Sequence, residues 1–399
     1  MLDMFDSGSI SEASATSEAP IAFDHSARRS RLRALMAEVS GTCPMEAMAI
    51  CDPLDVGYFS GVREGVSWLV VGPEGGFAVT RHMLVREVME EIGDFDVLLP
   101  SERSTDAVKL EAFVVAEMKR RGIRSVAVDT GRMGAGTFLR FQEAAAEMGL
   151  EVGRGERWIE GLRQCKEPME RQWIERCVEI AEEAFRGLLE EGAAGLVGRS
   201  ERELARELEN RMIGLGADRQ GFPETGIIVA SGPHSASAHH TPGSRMAAWG
   251  EALLIDWGAE LGGYRSDLTR TLYLGSVPEY ARKAHPVVEA ALHAAEKVLR
   301  PGAEMGWIDA AARETVMAAG YPEFHYGVGH GVGLAIHEGP WLRAHSREIL
   351  ESGMITTVEP GVYLADIGGI RLEGMFAVGA DSVDRLDRLP TDLAAMVIE

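Results

Sequence analysis

Apolar residues along the chain fall into two patterns, short runs bounded by glycine and longer stretches in which they recur every three or four positions. The first pattern fits strands buried on one or both faces, the second amphipathic helices. In the N-terminal third a basic helix is expected at His25–Val39, with strands at Ala47–Ile50, 68–71, 76–80 and Ser125–Val128. Helical periods at 84–92, 107–121 and 136–148 separate them, so this part reads as an α/β domain.

The rhythm breaks at GLRQCKEP, residues 161–168, and a long amphipathic helix begins near Met169, with Trp173, Ile174, Cys177, Ile180, Ala181 and Phe185 on its apolar side. The domain boundary is placed there. The expected organisation is a flexible tail at 1–24, an α/β domain at 25–162 and an α+β domain at 163–399. In the last, a helix at Glu201–Gly214 and a strand at 226–230 lead into a glycine-rich meander; helices at 278–300 and 307–319 precede a second glycine-rich strand region.

Composition narrows the class. With 399 residues, 46% hydrophobic and 26% charged, the chain is long enough for two full cores and shows neither disorder nor a fibrous repeat. A net charge of −22 without a basic stripe speaks against nucleic acid as a partner. No apolar run approaches the ~18–20 residues of a spanning helix, and the start of the chain has no basic and apolar regions of a secretory signal. Cys43, Cys51, Cys165 and Cys177 form no CxxC pair, which fits a reducing compartment and makes the cytoplasm the expected location. His25 and His82 stand alone and read as surface or turn residues.

Four segments carry chemistry. LLIDWGAELGGYRSDLTRT ends an apolar strand on Asp256 and places Asp267 in the next, with Gly258, Gly262 and Gly263 between; an Asp beside glycines is commonly only a turn residue, and this pair alone leaves the matter open. YGVGHGVGLAIHEGP sets His330 between glycines, as where backbones approach closely, and His337 seven positions on. TTVEPGVY puts Glu359 before a Pro-Gly turn, and GGIRLEGM puts Glu373 in an otherwise apolar strand. An acid in such surroundings is costly unless it is paired or binds a metal. Together the segments offer four carboxylates and one imidazole, a hard donor set suited to two divalent ions.

In order and spacing these segments resemble the creatinase/methionine aminopeptidase superfamily, the pita-bread peptidases, and within it the prolidase and aminopeptidase P branch. The resemblance covers nearly the whole chain: LRQCKEPME looks like that family's join between its two domains, and DVGYFSGVRE like a strand-turn of its N-terminal domain. It implies a creatinase-type N-terminal domain followed by a pita-bread catalytic domain. It also implies that Asp256 binds one ion, Asp267 and Glu373 bridge two, and His330 and Glu359 complete the second site. SGPHSASAHHTPGSR places His239 where a catalytic His sits, with His240 a structural neighbour pointing the other way; His337 matches a second catalytic His, and Arg371 the Arg two positions before the bridging Glu.

The activity implied is metal-assisted hydrolysis of the Xaa-Pro amide bond, in dipeptides or at the N-terminus of short peptides. Glu359 would shuttle the proton, His239 or His337 would hold the oxyanion, and Arg371 would anchor a carboxylate of the substrate or of the metal site. Manganese is the first expected metal, with cobalt, iron and zinc behind it, and the assembly implied is a homodimer acting on a small peptide or small molecule. One position departs from the family: Tyr326 stands where many prolidases and aminopeptidases P carry a His, with His325 one step earlier. That departure keeps open a creatinase-like enzyme acting on a small osmolyte-type compound, such as an ectoine-type or guanidino hydrolase or a sulfonium-acid lyase. A non-enzymatic binding module is the third reading, disfavoured by the intact acidic cluster.

Overall fold

The computed structural model describes residues 23–39, 45–93, 95–100, 107–223 and 225–399. Residues 1–22 of the expected tail, and Cys43, lie outside them. At the tail's end the Phe23 ring packs 5.5 Å from that of Tyr264, and the exposed Asp24 accepts from the Ala27 amide at 2.8 Å.

The N-terminal part is built on a six-stranded mixed sheet, ordered Asp96–Leu98, Gly75–Thr80, Val66–Gly72, Ala47–Ile50, Ser125–Val128 and Glu151–Arg154. Successive strand residues face opposite sides, and the core divides accordingly. Ala47, Ala49, Trp68, Val70, Val126 and Val128 pack with the helices Ala107–Arg120 and Ala135–Glu147. Met48, Ile50, Leu69, Val71 and Ala127 pack with His25–Val39 and Pro53–Ser60. The helix Pro53–Ser60 corrects the strand-turn expectation for DVGYFS. Asp52 accepts from the amides of Leu54 and Asp55, Pro53 occupies the first turn, and Gly61 closes the helix at φ 80°.

A helix at Trp158–Gln164 runs into the first half of the stretch read as a break, 161–168. The long helix then runs over Pro168–Leu188, opened by a reciprocal capping box between Glu167 and Glu170. Its apolar side joins a single large core with the helices Glu201–Gly214, Glu279–Val298 and Met305–Ala318. These helices surround a four-stranded sheet (Val397–Ile398, Leu268–Leu274, Ala252–Trp257, Ile228–Ser231) and a five-stranded one (Glu338–Leu342, Gly329–Gly331, Ile355–Val358, Gly374–Val378, Val383–Arg385). A two-stranded ribbon, Gly361–Leu364 with Gly368–Arg371, completes the region that carries the acidic residues.

The two parts are tied by buried charge. Arg163, at the end of the connecting helix, bonds Asp55 at 2.7 Å and also Glu338, whose other oxygen accepts from Lys166 at 3.0 Å. Arg28 reaches Glu167 at 2.9 Å. Among the described residues no helix is long and apolar enough to cross a membrane.

Candidate active site

Asp256 sits in the strand Ala252–Trp257, every residue of which is buried, opposite Thr269 and Ile228 of its two neighbours. The hydrophobic residues around it set the strand, and the alternation turns Asp256 to the same side as Leu254. Asp267 lies just before the strand Leu268–Leu274 rather than within it, and Glu373 occupies a two-residue break between Gly368–Arg371 and Gly374–Val378 rather than a strand interior. Asp267 and Glu373 therefore stand where a ladder is interrupted, whereas Asp256 is paired on both sides.

His330 is held between strands that leave no room for neighbouring side chains. A Cβ at Gly329 would lie 2.0 Å from the Thr357 carbonyl oxygen, and one at Gly331 2.1 Å from that of Gly339. The His330 Nδ1 is 3.1 Å from the Gly331 carbonyl oxygen, an acceptor only, so a neutral ring carries its proton there and presents the Nε2 lone pair. That nitrogen faces Glu359 Oε1 at 3.3 Å and Asp267 Oδ2 at 3.6 Å.

Asp256, Asp267 and Glu373 bring ligand atoms within 4.8 Å of one another, as do His330, Glu359 and Glu373. Burial raises the pKa of all three buried acids, and each carboxylate raises its neighbours further: Glu373 and Asp256 act on Asp267, Glu359 and Asp256 on Glu373. Asp256 Oδ1 and Glu373 Oε1 are buried without a hydrogen-bond partner. A lone pair aimed at carboxylates and orphaned carboxylate oxygens in one cluster are costly unless cations sit among them. The donor set therefore fits two divalent metal ions.

Arg371 is buried and fully engaged. Its Nη2 donates to Asp256 Oδ2 at 2.5 Å, Nε to Thr269 Oγ1 at 3.1 Å, and Nη1 to the Ala238 carbonyl at 3.1 Å and the Tyr363 hydroxyl at 2.8 Å. Of the two carboxylates it was expected to anchor, the one it meets is Asp256. Thr269 Oγ1 in turn donates to Glu373 Oε2 at 2.8 Å.

His239 is exposed and lines the cavity over the acids, while the His240 ring turns away to Glu201 Oε2 at 2.8 Å. His337 lines the same cavity; burial and the neighbouring His330 ring lower its pKa to about 4, so it is neutral at physiological pH. The cavity measures about 330 Å³, and Phe222, Ile228 and Trp341 supply apolar wall. Larger cavities of about 870 and 840 Å³ contain none of the five candidate ligands.

Sequence reading did not single out Thr269, Tyr363 or Glu201. Glu201 accepts from the Ser231 amide and hydroxyl, His234 Nδ1, His240 Nε2 and the Gly243 amide, and so clasps the loop that carries His239. Its only sequence signal is an acid in the first turn of a helix, which is too common to stand out.

Residues 172–380, more than half of the chain, match metallopeptidase family M24, and residues 28–165 match the creatinase/prolidase N-terminal domain. The chain belongs to metallopeptidase family M24. Among M24 relatives, an uncharacterized peptidase of Bacillus subtilis is 28% identical over 88% of this chain and 96% of its own length. The Xaa-Pro dipeptidase of Pyrococcus furiosus is 35% identical over 59% of this chain and 66% of its own length. Among solved structures, the Xaa-Pro dipeptidase from Bacillus anthracis superposes with a TM-score of 0.84 at 26% identity, covering 94% of this chain and all of that one. The X-Pro aminopeptidase from Thermotoga maritima does so with 0.78 at 26% identity, over 92% and 99%. The fold is thus a creatinase-type α/β domain followed by an M24 catalytic domain, and the chain is a metallohydrolase with a divalent-metal site.

Proposed function

We propose that this enzyme hydrolyses the amide bond before proline, in Xaa-Pro dipeptides or at the N-terminus of short Xaa-Pro peptides. The observation that carries the reading is the convergence of Asp256, Asp267, His330, Glu359 and Glu373 with unpaired lone pairs facing inward. The M24 relatives named for Xaa-Pro cleavage support the substrate class. In this reading Asp256, Asp267, His330, Glu359 and Glu373 would hold the two ions. Bound there, two divalent cations would polarise the scissile carbonyl and lower the pKa of the attacking water.

The remaining steps belong to the chain's own groups. Glu359, half-buried and on the cavity wall, takes the proton of the attacking water and delivers it to the leaving nitrogen. His337, neutral above pH ~5 by its lowered pKa, keeps an N–H to donate to the developing oxyanion, and His239 is the second donor on that wall. Arg371 holds Asp256 in place. Phe222, Ile228 and Trp341 give the cavity the apolar wall that a pyrrolidine ring fits, and its ~330 Å³ lies at the small end of the range for small-molecule sites, roughly 300–1,000 Å³.

The hard oxygen donors favour manganese as the working metal. A homodimer and a cytoplasmic location complete the proposal, the latter supported by cysteines without a disulfide framework. The test is metal-stripped protein reloaded with Mn²⁺ and assayed on Ala-Pro, Gly-Pro and a short X-Pro-X peptide, with metal counted on the same sample. Cleavage with about two metals per chain is expected. Two metals with no cleavage of any substrate would overturn the substrate class while leaving the metal centre standing.

A further inference from the structure

Tyr326, the residue that departs from the family pattern, sits on the cavity wall with its hydroxyl 3.2 Å from the Glu359 carbonyl oxygen and 2.8 Å from the Tyr363 hydroxyl. The direction of these bonds is set by counting protons, since a tyrosine hydroxyl has one to give. A carbonyl oxygen only accepts, so Tyr326 gives its proton to Glu359. Tyr363 must then be the donor to Tyr326, and it accepts in turn from Arg371 Nη1 at 2.8 Å. At its other end Arg371 holds Asp256. The space is kept for this pair: a Cβ at Gly361 would lie 2.7 Å from the Tyr363 hydroxyl and 2.8 Å from that of Tyr326. Glycine directly after the Glu359-Pro360 pair thus admits both rings.

We propose that Tyr326 is a positioning residue of the reaction centre. The one-way chain from Arg371 through Tyr363 and Tyr326 to the Glu359 backbone ties together Asp256 and Glu359, two residues of the proposed ligand set, and fixes their separation. The Tyr326 hydroxyl has no proton left for the substrate. Its contribution to turnover therefore passes through Glu359 and Asp256. The inference rests on the proposed metallopeptidase reading and adds to it a role for a residue outside the ligand set.

The experiment compares wild type, Tyr326→Phe, Tyr363→Phe and the double variant, each as full-length protein. Two quantities are read: kcat and KM on the cleaved Xaa-Pro substrate, and affinity for Mn²⁺ by calorimetric titration of the metal-stripped chain. Loss of a supporting partner of a metal ligand costs about 10–100-fold in metal affinity or activity. Tyr326→Phe is expected to lose that much in kcat or in affinity for the more weakly held ion, with KM within about threefold of wild type. The double variant is expected to lose little more than the worse single one, because the two hydroxyls act in series. A rise in KM with kcat and Mn²⁺ affinity unchanged would show that the hydroxyl serves the substrate and would overturn the proposal, as would single effects that multiply in the double variant. If wild type cleaves none of the substrates, the proposed function fails by itself. The titration still decides the positioning role, because unchanged Mn²⁺ affinity in both single variants refutes it.

Discussion

Glu338 follows His337 directly, and its carboxylate is buried between Arg163 and Lys166, whose side chains are 5% and 1% exposed. Burial alone would raise its pKa, but the guanidinium and the ammonium outweigh that and hold it at about 2. Against the ordinary 4.5 this corresponds to roughly 3 kcal/mol. The figure agrees with the ~3–5 kcal/mol expected when one partner of a buried pair is removed. Asp55, on the other side of Arg163, is shifted upward because burial there wins over Arg163 and Arg132. The whole cluster is therefore worth less than Glu338 taken alone. Glu338→Gln keeps the shape and the acceptor for the Ala335 amide but removes the charge. It should lower stability at pH 7 by about 3 kcal/mol, or roughly 6–12 °C in the melting temperature of a domain of this size. The folded pKa is depressed, so the stabilisation is fully present above pH ~4.5 and fades as pH falls toward ~2. The gap between wild type and variant should stay constant from pH 8 to 5 and narrow below. Urea unfolding of metal-loaded protein at a series of pH values measures both. A variant as stable as wild type at pH 7 would mean that Arg163 and Lys166 find other partners, and the reasoning would fail.

Other outcomes follow from the site. Glu359→Gln should retain part of the metal yet lose most turnover, whereas Asp267→Ala should leave well under two metals per chain by elemental analysis; two metals and full activity in the latter would sink the ligand set. His239→Ala should cost about 10²–10³-fold in kcat, the scale of a lost oxyanion donor. His240→Ala should instead lower stability, by about 1–3 kcal/mol for a lost, partly buried bond to Glu201, and the reverse pattern in kinetics and melting would exchange their roles. Because Asp256, Asp267 and Glu373 have raised pKa values in the metal-free chain, that form should lose stability as pH rises above the ordinary carboxylate range. Mn²⁺ binding should release protons over the same range, measurable by calorimetry in buffers of different ionisation enthalpy, and absence of proton release would contradict the shifts.

Much of the site was legible because acids in apolar surroundings are anomalous. Asp256 and Glu373 stood out for that reason, and the glycines around His330 announced the close backbones that the structure shows. What stayed hidden depends on pairings distant in sequence. Nothing near Arg371 says that its carboxylate is Asp256, 115 positions away. The strand Glu151–Arg154 escaped notice because, at the edge of its sheet, it is largely exposed and carries no apolar pattern. The helix Pro53–Ser60 was missed although Asp52, Pro53 and Gly61 spell its two ends. There the strand-turn came from the family resemblance of DVGYFSGVRE, and the capping signals were not weighed against it.

The clasp of Glu201 on its loop bears on how the wall beside His239 is built. One buried carboxylate takes five donors between Ser231 and Gly243, and those donors hold its pKa at about 2 in spite of the burial. The wall that presents His239 is thus assembled when the chain folds and asks no further ordering when a substrate arrives. Arg343, elsewhere on the cavity wall, is by contrast exposed, with its guanidinium over the face of Trp341. A lesion at Glu201, more than thirty residues from His239 in the chain, would look like an active-site defect without touching the active site.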